Sequence, residues 1–135
     1  MKLSTLLIPT ILSLSSTTTA LGINCRGSGF CGDASSGSGT RLSRIKNKID
    51  AIDDNAHYNN GDHIACDVDP IGSGFCAFFQ STGDGGSAAD AKRLVQDLIN
   101  HGCAACGSVP TGQENDVKNG QLTVNYVGSP RRVRR

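Results

Sequence analysis

Six cysteines offer the most chemistry in this sequence: Cys25, Cys31, Cys66, Cys76, Cys103 and Cys106. The last two form a C-x-x-C inside HGCAACGS, His101 to Ser108. That spacing suits a zinc clamp, a dithiol redox pair, or the ends of two separate disulfides. A finger-like zinc site needs four ligands at defined spacing. Here CRGSGFC puts five residues between its cysteines and no second C-x-x-C exists, although His101 could join Cys103 and Cys106. A thioredoxin-like motif needs a βαβ setting, and this C-x-x-C follows a predicted helix rather than opening one. Spacing alone leaves the three chemistries open. The compartment decides between them.

The first twenty residues read as a secretion signal. Lys2 is a short positive start, LSTLLIPTILSLSS is an uncharged apolar run, and TTTA ends on small residues suited to cleavage after Ala20. The run is too short and too diluted by Ser, Thr and Pro for a membrane span, which needs roughly 20 mostly apolar residues. The expected product is Leu21 to Arg135, 115 residues, secreted and extracellular. In a small exported chain an even number of cysteines implies a disulfide framework. Disulfides are therefore the favoured reading, with zinc and redox chemistry as lesser ones.

Other strings have bland readings. His57, His63 and His101 sit in no G-x-S-x-G or H-E-x-x-H and read as surface or helix-end residues. DVD, Asp67–Asp69, could hold calcium, but it lacks the glycine and distal glutamate of an EF-hand loop and reads as a solvated turn. GSGFCG matches G-x-G-x-x-G only as text, since no strand precedes it. No pair of carboxylates is marked out for glycoside hydrolysis. We expect no catalytic residue, no metal ligand and no cofactor, and we expect a protein that is not an enzyme.

The charge balance narrows the partners. The whole chain has 13 Lys+Arg against 12 Asp+Glu. Lys2 lies in the signal, and Arg131, Arg132, Arg134 and Arg135 lie in the tail GSPRRVRR. The body between them keeps eight basic residues against twelve acids, or −4. This is no nucleic-acid domain. The tail is expected to be disordered, because four arginines in five residues repel one another. Its Arg131-Arg132 pair resembles a dibasic processing site.

The elements that would position the cysteines follow from periodicity. DASSGSG, Asp33 to Gly39, is Gly/Ser-rich and is expected to be a flexible loop. Thr40 is a plausible N-cap for a first helix whose apolar face is Leu42, Ile45, Ile49 and Ile52. Asn60-Gly61 offers a turn. DHIAC and FCAFFQST are strand candidates joined by DVDPIGSG. Ser87 opens a second helix with Ala91, Leu94, Val95, Leu98 and Ile99 on one face and Gly102 as its stop. Cys103 and Cys106 then lie just past its end. Asn119-Gly120 precedes a last strand, GQLTVNYV, expected to end near Val127. Helices interspersed with antiparallel strands give an α+β two-layer domain.

Three further stretches carry a resemblance. LGINCRGSGFCG at the expected mature start, LVQDLINHGCAACGSVP, and NDVKNGQLTVNYV resemble, in the same order, segments of the KP4-like killer toxin family, and FFQST is similar to its central strand. The resemblance implies a small disulfide-linked α/β sandwich, an antiparallel sheet with two main helices packed on it. It divides the chain into a signal peptide at 1–20, a KP4-like domain at 21–127 and a basic disordered tail at 128–135. It also implies that the N-terminal cysteines and the C-x-x-C are structural disulfide ends, paired as Cys25–Cys103, Cys31–Cys106 and Cys66–Cys76. Six cysteines allow 15 connectivities, so spacing could not choose one.

The family's activity implies a toxin that arrests growth of susceptible fungi, with block of a membrane calcium channel. The family toxin has more cysteines and a basic segment before the central strand. Here the stretch between Cys66 and Cys76 is DVDPIGSGF, with two Asp and no Lys or Arg. Target-binding charge would have to come from elsewhere. Arg41, Arg44 and Lys48 form one stripe on the first helix, which is a candidate target-binding surface or simply a solvated face. The expected partner is a calcium channel or another component of a target cell's surface. Nucleic acid and membrane insertion are not expected, and the chain should be monomeric. A second reading is an effector or cell-surface interaction protein on the same scaffold without channel block; a small hydrolase is a third.

Overall fold

The computed structural model describes residues 21–32, 40–112 and 114–130. The expected signal peptide at 1–20, the loop Asp33 to Gly39 and the arginines from 131 onward lie outside the described residues.

Helix α1 runs Arg41–Asp50, and Thr40 caps it by accepting a hydrogen bond from the Ser43 N–H. Helix α2 runs Ala88–Asn100, and Ser87 caps it by accepting from the Asp90 N–H. Each cap satisfies one N–H that the helix itself leaves free. Beyond α2, Gly102 takes a positive φ of 98°, where a side chain would be strained, and the chain turns out of the helix. The apolar faces are the ones periodicity picks out. Leu42, Ile45 and Ile49 are buried on α1, and Ala91, Leu94, Val95 and Leu98 on α2. Ile52 lies past the end of α1, and it and Ile99 pack at the border of the core.

Among the described residues six strands follow in chain order: β1 His57–Tyr58, β2 Ala65–Val68, β3 Gly74–Gln80, β4 Gly86–Ser87, β5 Gly107–Pro110 and β6 Gln121–Val127. The main sheet is antiparallel with order β2-β3-β6-β5, and β1 pairs with β4 in a separate two-stranded ribbon. Register places Cys66 opposite Cys76, Ala77 opposite Val124, and Val109 opposite Leu122. Phe75, Ala77, Phe79, Leu122 and Val124 join the apolar faces of both helices in one core. The molecule is a small disulfide-linked α+β fold, two helices packed on antiparallel sheet.

Three differences from the sequence reading have physical causes. The strand expected over DHIAC begins later, at Ala65, and runs through Asp67 to Val68. The ladder to β3 carries it on to a Val68–Gly74 pair, so Asp67 is a strand residue and not part of a solvated turn. GSVP forms β5, although Gly, Ser and Pro are poor strand formers; the C-x-x-C just before it delivers it to β6. Finally, GDGGS does more than interrupt the chain. A Cβ at Gly86 would enter the Phe79 ring, so this glycine lets β4 lie against the core aromatic.

Candidate functional site

The structure joins the six cysteines as Cys25–Cys103, Cys31–Cys106 and Cys66–Cys76. The end of α2 and the turn after it carry Cys103 and Cys106 to the N-terminal segment. That segment is also held by reciprocal backbone hydrogen bonds between Asn24 and Ser108. His63, Cys66 and Cys76 form a trio close enough to share an ion, but both sulfurs are bonded to each other and neither is a thiolate ligand. The C-x-x-C sulfurs are likewise both in disulfides, to Cys25 and Cys31.

The cationic stripe of α1 is partly exposed, with Arg41 half-buried, but it is not unpartnered. It lies along β2 and meets the acids of the β2–β3 hairpin. Arg41 donates from Nη1 to Asp67 at 3.2 Å and from Nη2 to Asp69 at 3.0 Å. Its guanidinium also stands 4.2 Å above the centre of the Phe75 ring. Arg44 forks onto both oxygens of Asp67, at 3.2 and 2.9 Å. Lys48 donates to the backbone carbonyl of Cys66. The spacing 41, 44, 48 puts all three on one helix face. What sequence reasoning missed is that DVD lies under that face.

The electrostatics follow. The hydrogen bond from Arg44 holds the Asp67 carboxyl below the usual carboxylate range, helped by the charges of Arg44, Arg41 and Lys48 and opposed by partial burial. The same bond raises the Arg44 guanidinium above its ordinary value. A carboxyl whose pKa is lower in the folded chain stabilises the fold above its unfolded pKa of about 3.9. That stability drains away as pH falls through this value towards the lower folded one. Asp67→Asn should therefore be less stable than the parent at neutral pH, and the gap should close below about pH 4. Thermal melting from neutral to acid pH checks this; parallel profiles would show that the pair does not contribute.

The clamp fixes the tip of the hairpin. Asp69 N–H donates to Ser73 carbonyl and Gly72 N–H to Asp69 carbonyl, closing a tight turn around Pro70 and Ile71. Ile71 is 88% exposed at its apex and Val68 is 53% exposed beside it. At the same end of the sheet Phe30, 71% exposed, stacks on Tyr126 with ring centres 4.5 Å apart. Tyr126 in turn meets Phe75 edge-on at 5.7 Å. Phe30 rides on a single 3₁₀ turn, Gly29–Cys31, whose cap is Ser28. The sequence signal for Phe30 and Ile71 was available: each large apolar residue sits inside a Gly/Ser turn, where no core is expected to reach it.

The three histidines stand apart. His57 is exposed in β1, His63 tilts against Phe78, and His101 caps the end of α2. A shallow groove of about 460 Å³ between α2 and β5 collects Asp97, Asn100, His101 and Asn115 above Ile23 and Pro110. Among the described residues its lining offers a carboxylate, an imidazole and amides, but no hydroxyl or thiol nucleophile.

Comparison with known proteins adds two findings. A family model described as Kp4 matches residues 8–128. The chain is 41% identical over 115 residues to the KP4 killer toxin of Ustilago maydis P4 virus, covering 82% of this chain and 83% of that protein.

Proposed function

Because the chain belongs to the Kp4 family, we propose that it is a secreted, non-enzymatic killer toxin that arrests growth of susceptible fungal cells from outside. The observation that carries this reading is the 41% identity to a killer toxin across most of both chains. The three-disulfide framework supports it, since such cross-links suit an extracellular protein with a modest core. The proposed target is a calcium channel or another component of the target cell's surface.

One observation favours a second reading, an effector on the same scaffold that blocks no channel. The Cys66–Cys76 hairpin carries two Asp and no cation of its own, and its acids engage Arg41 and Arg44 of α1. A cationic approach to an acidic channel mouth would rely on what charge remains on that face. Purified protein applied to yeast and hyphal cells, with and without added calcium, separates the readings. Growth arrest that calcium relieves is the expected result. Arrest that calcium leaves unchanged removes channel block but keeps the toxin, and absence of arrest on every fungus tried points to the effector.

A further inference from the structure

We propose that the groove between α2 and β5 binds a neutral saccharide. At about 460 Å³ it falls within the ~300–1,000 Å³ of small-ligand sites. Val109, Pro110 and Ile23 give it an apolar side, and Asp97, Asn100, His101 and Asn115 give it polar groups. Those groups are held in place. Asn115 has a positive φ of 48°, a conformation that asparagine tolerates better than most residues. Its amide lies against Gly22, where a Cβ would come within 2.6 Å of Nδ2. That segment is pinned in turn: the Leu21 carbonyl accepts from the Val117 N–H, and the Gly22 carbonyl accepts from Asn24 Nδ2. On α2, Gln96 donates to Asn100 Oδ1, which leaves the Asn100 nitrogen as a donor. Among the described residues no hydrogen bond or ion pair engages the Asp97 carboxylate or the Asn115 amide. Polar groups ordered before contact lose less entropy on binding.

The donor set selects the occupant. Helix α2 ends at this groove with no basic residue in its last turn. The negative end of the helix adds to the Asp97 carboxylate, and together they repel an anion such as phosphate. An ammonium or guanidinium would use acceptors only, and the amide N–H groups of Asn100 and Asn115 would face it unused. A sugar ring uses both kinds of group. Two adjacent hydroxyls can donate to one carboxylate and accept from amide nitrogens, while the C–H face of the ring packs on Val109, Pro110 and Ile23. Among the described residues one carboxylate lines the groove, where glycoside hydrolysis uses two, so the proposed site holds the sugar without cleaving it.

The inference goes beyond the toxin reading, since a toxin and an effector could each use such a site, and it is read without any growth assay. The full mature chain is titrated with laminaritriose, mannotriose and chitotriose and followed by NMR. At least one of these trisaccharides should shift the side-chain amide signals of Asn100 and Asn115 and the ring signals of His101. The dissociation constant should be on the order of 1 mM, as suits a shallow groove. Added salt should leave it unchanged, because the ligand carries no charge. Asp97→Ala removes the carboxylate, and Asn115→Gly removes the amide while keeping a residue at ease with positive φ. Each variant, checked by unchanged melting, should bind about tenfold more weakly. No shifts with any of the three sugars, shifts centred away from the groove, or unchanged affinity in both variants overturns the proposal. So does argininamide that binds the groove more tightly than every sugar and is released by salt, which marks a site for a basic peptide instead. Absence of growth arrest with sugar binding intact sinks only the toxin reading.

Discussion

Leu98→Asp is expected to leave no folded protein in the culture medium. Leu98 is fully buried on α2. Its Cδ2 lies so close to Gly107 that a Cβ there would meet it at 2.9 Å, which places the side chain against the start of β5. The substitution removes an apolar group from the core and puts a carboxylate in its place, and none of the buried neighbours is a cation. The cost should be about 5 kcal/mol or more, comparable with the whole stability of a small domain. Asn100→Ala, on the exposed side of the same helix, gives up only the hydrogen bond from Gln96 and should cost about 0.2–0.5 kcal/mol. Asp97→Ala should also be tolerated. Secreted yield and melting temperature decide the matter; a Leu98→Asp protein that is secreted and melts like the parent would show that α2 packs on another face.

Loss of both N-terminal disulfides should cost more than the two single losses added together. Cys25–Cys103 and Cys31–Cys106 span 78 and 75 residues, so either one, alone, closes a long loop worth about 4.5 kcal/mol in the chain-entropy treatment. With one in place, however, the other closes only a ring of about nine residues, worth about 2.6 kcal/mol. Replacing one pair with alanines should therefore cost about 2.6 kcal/mol, and replacing both about 7. Non-reducing peptide mapping must first show the Cys25 and Cys31 peptides attached to the peptide bearing Cys103 and Cys106. A local Cys25–Cys31 link, or strictly additive losses in denaturant unfolding, would overturn this account.

Much of the scaffold was legible because its signals are local. Thr40 and Ser87 announce their helices by cap chemistry, and Leu42, Ile45, Ile49, Leu94, Val95 and Leu98 mark the buried faces by period. Gln121–Val127 reads as a strand by alternation. The illegible parts depend on partners distant in sequence. Gly107–Pro110 has only Val109 as a strand former; β6 and the Asn24 contacts make it a strand. DVD carries every local mark of a loop. The ladder to β3 makes its first two residues strand, and cations more than twenty residues earlier make its two acids a clamp. For the same reason the stripe Arg41, Arg44 and Lys48 could be seen on its helix, while what it touches could not.

The hydrogen bond from Lys48 to the Cys66 carbonyl has a consequence for how copies of this protein meet one another. A sheet with a bare outer strand is a template on which a second chain can lay its own backbone, and repetition of that step builds fibres. Here β2 and β5 are the outer strands. On β2 the ammonium of Lys48 occupies the carbonyl of Cys66 and brings a charge that a neighbouring strand would have to desolvate. On β5, the Ser108 N–H already donates to the Asn24 carbonyl and the Ser108 carbonyl accepts from the Asn24 N–H, and Pro110 has no N–H to give. When many copies are crowded together, such molecules find both margins of the main sheet guarded against strand-on-strand growth.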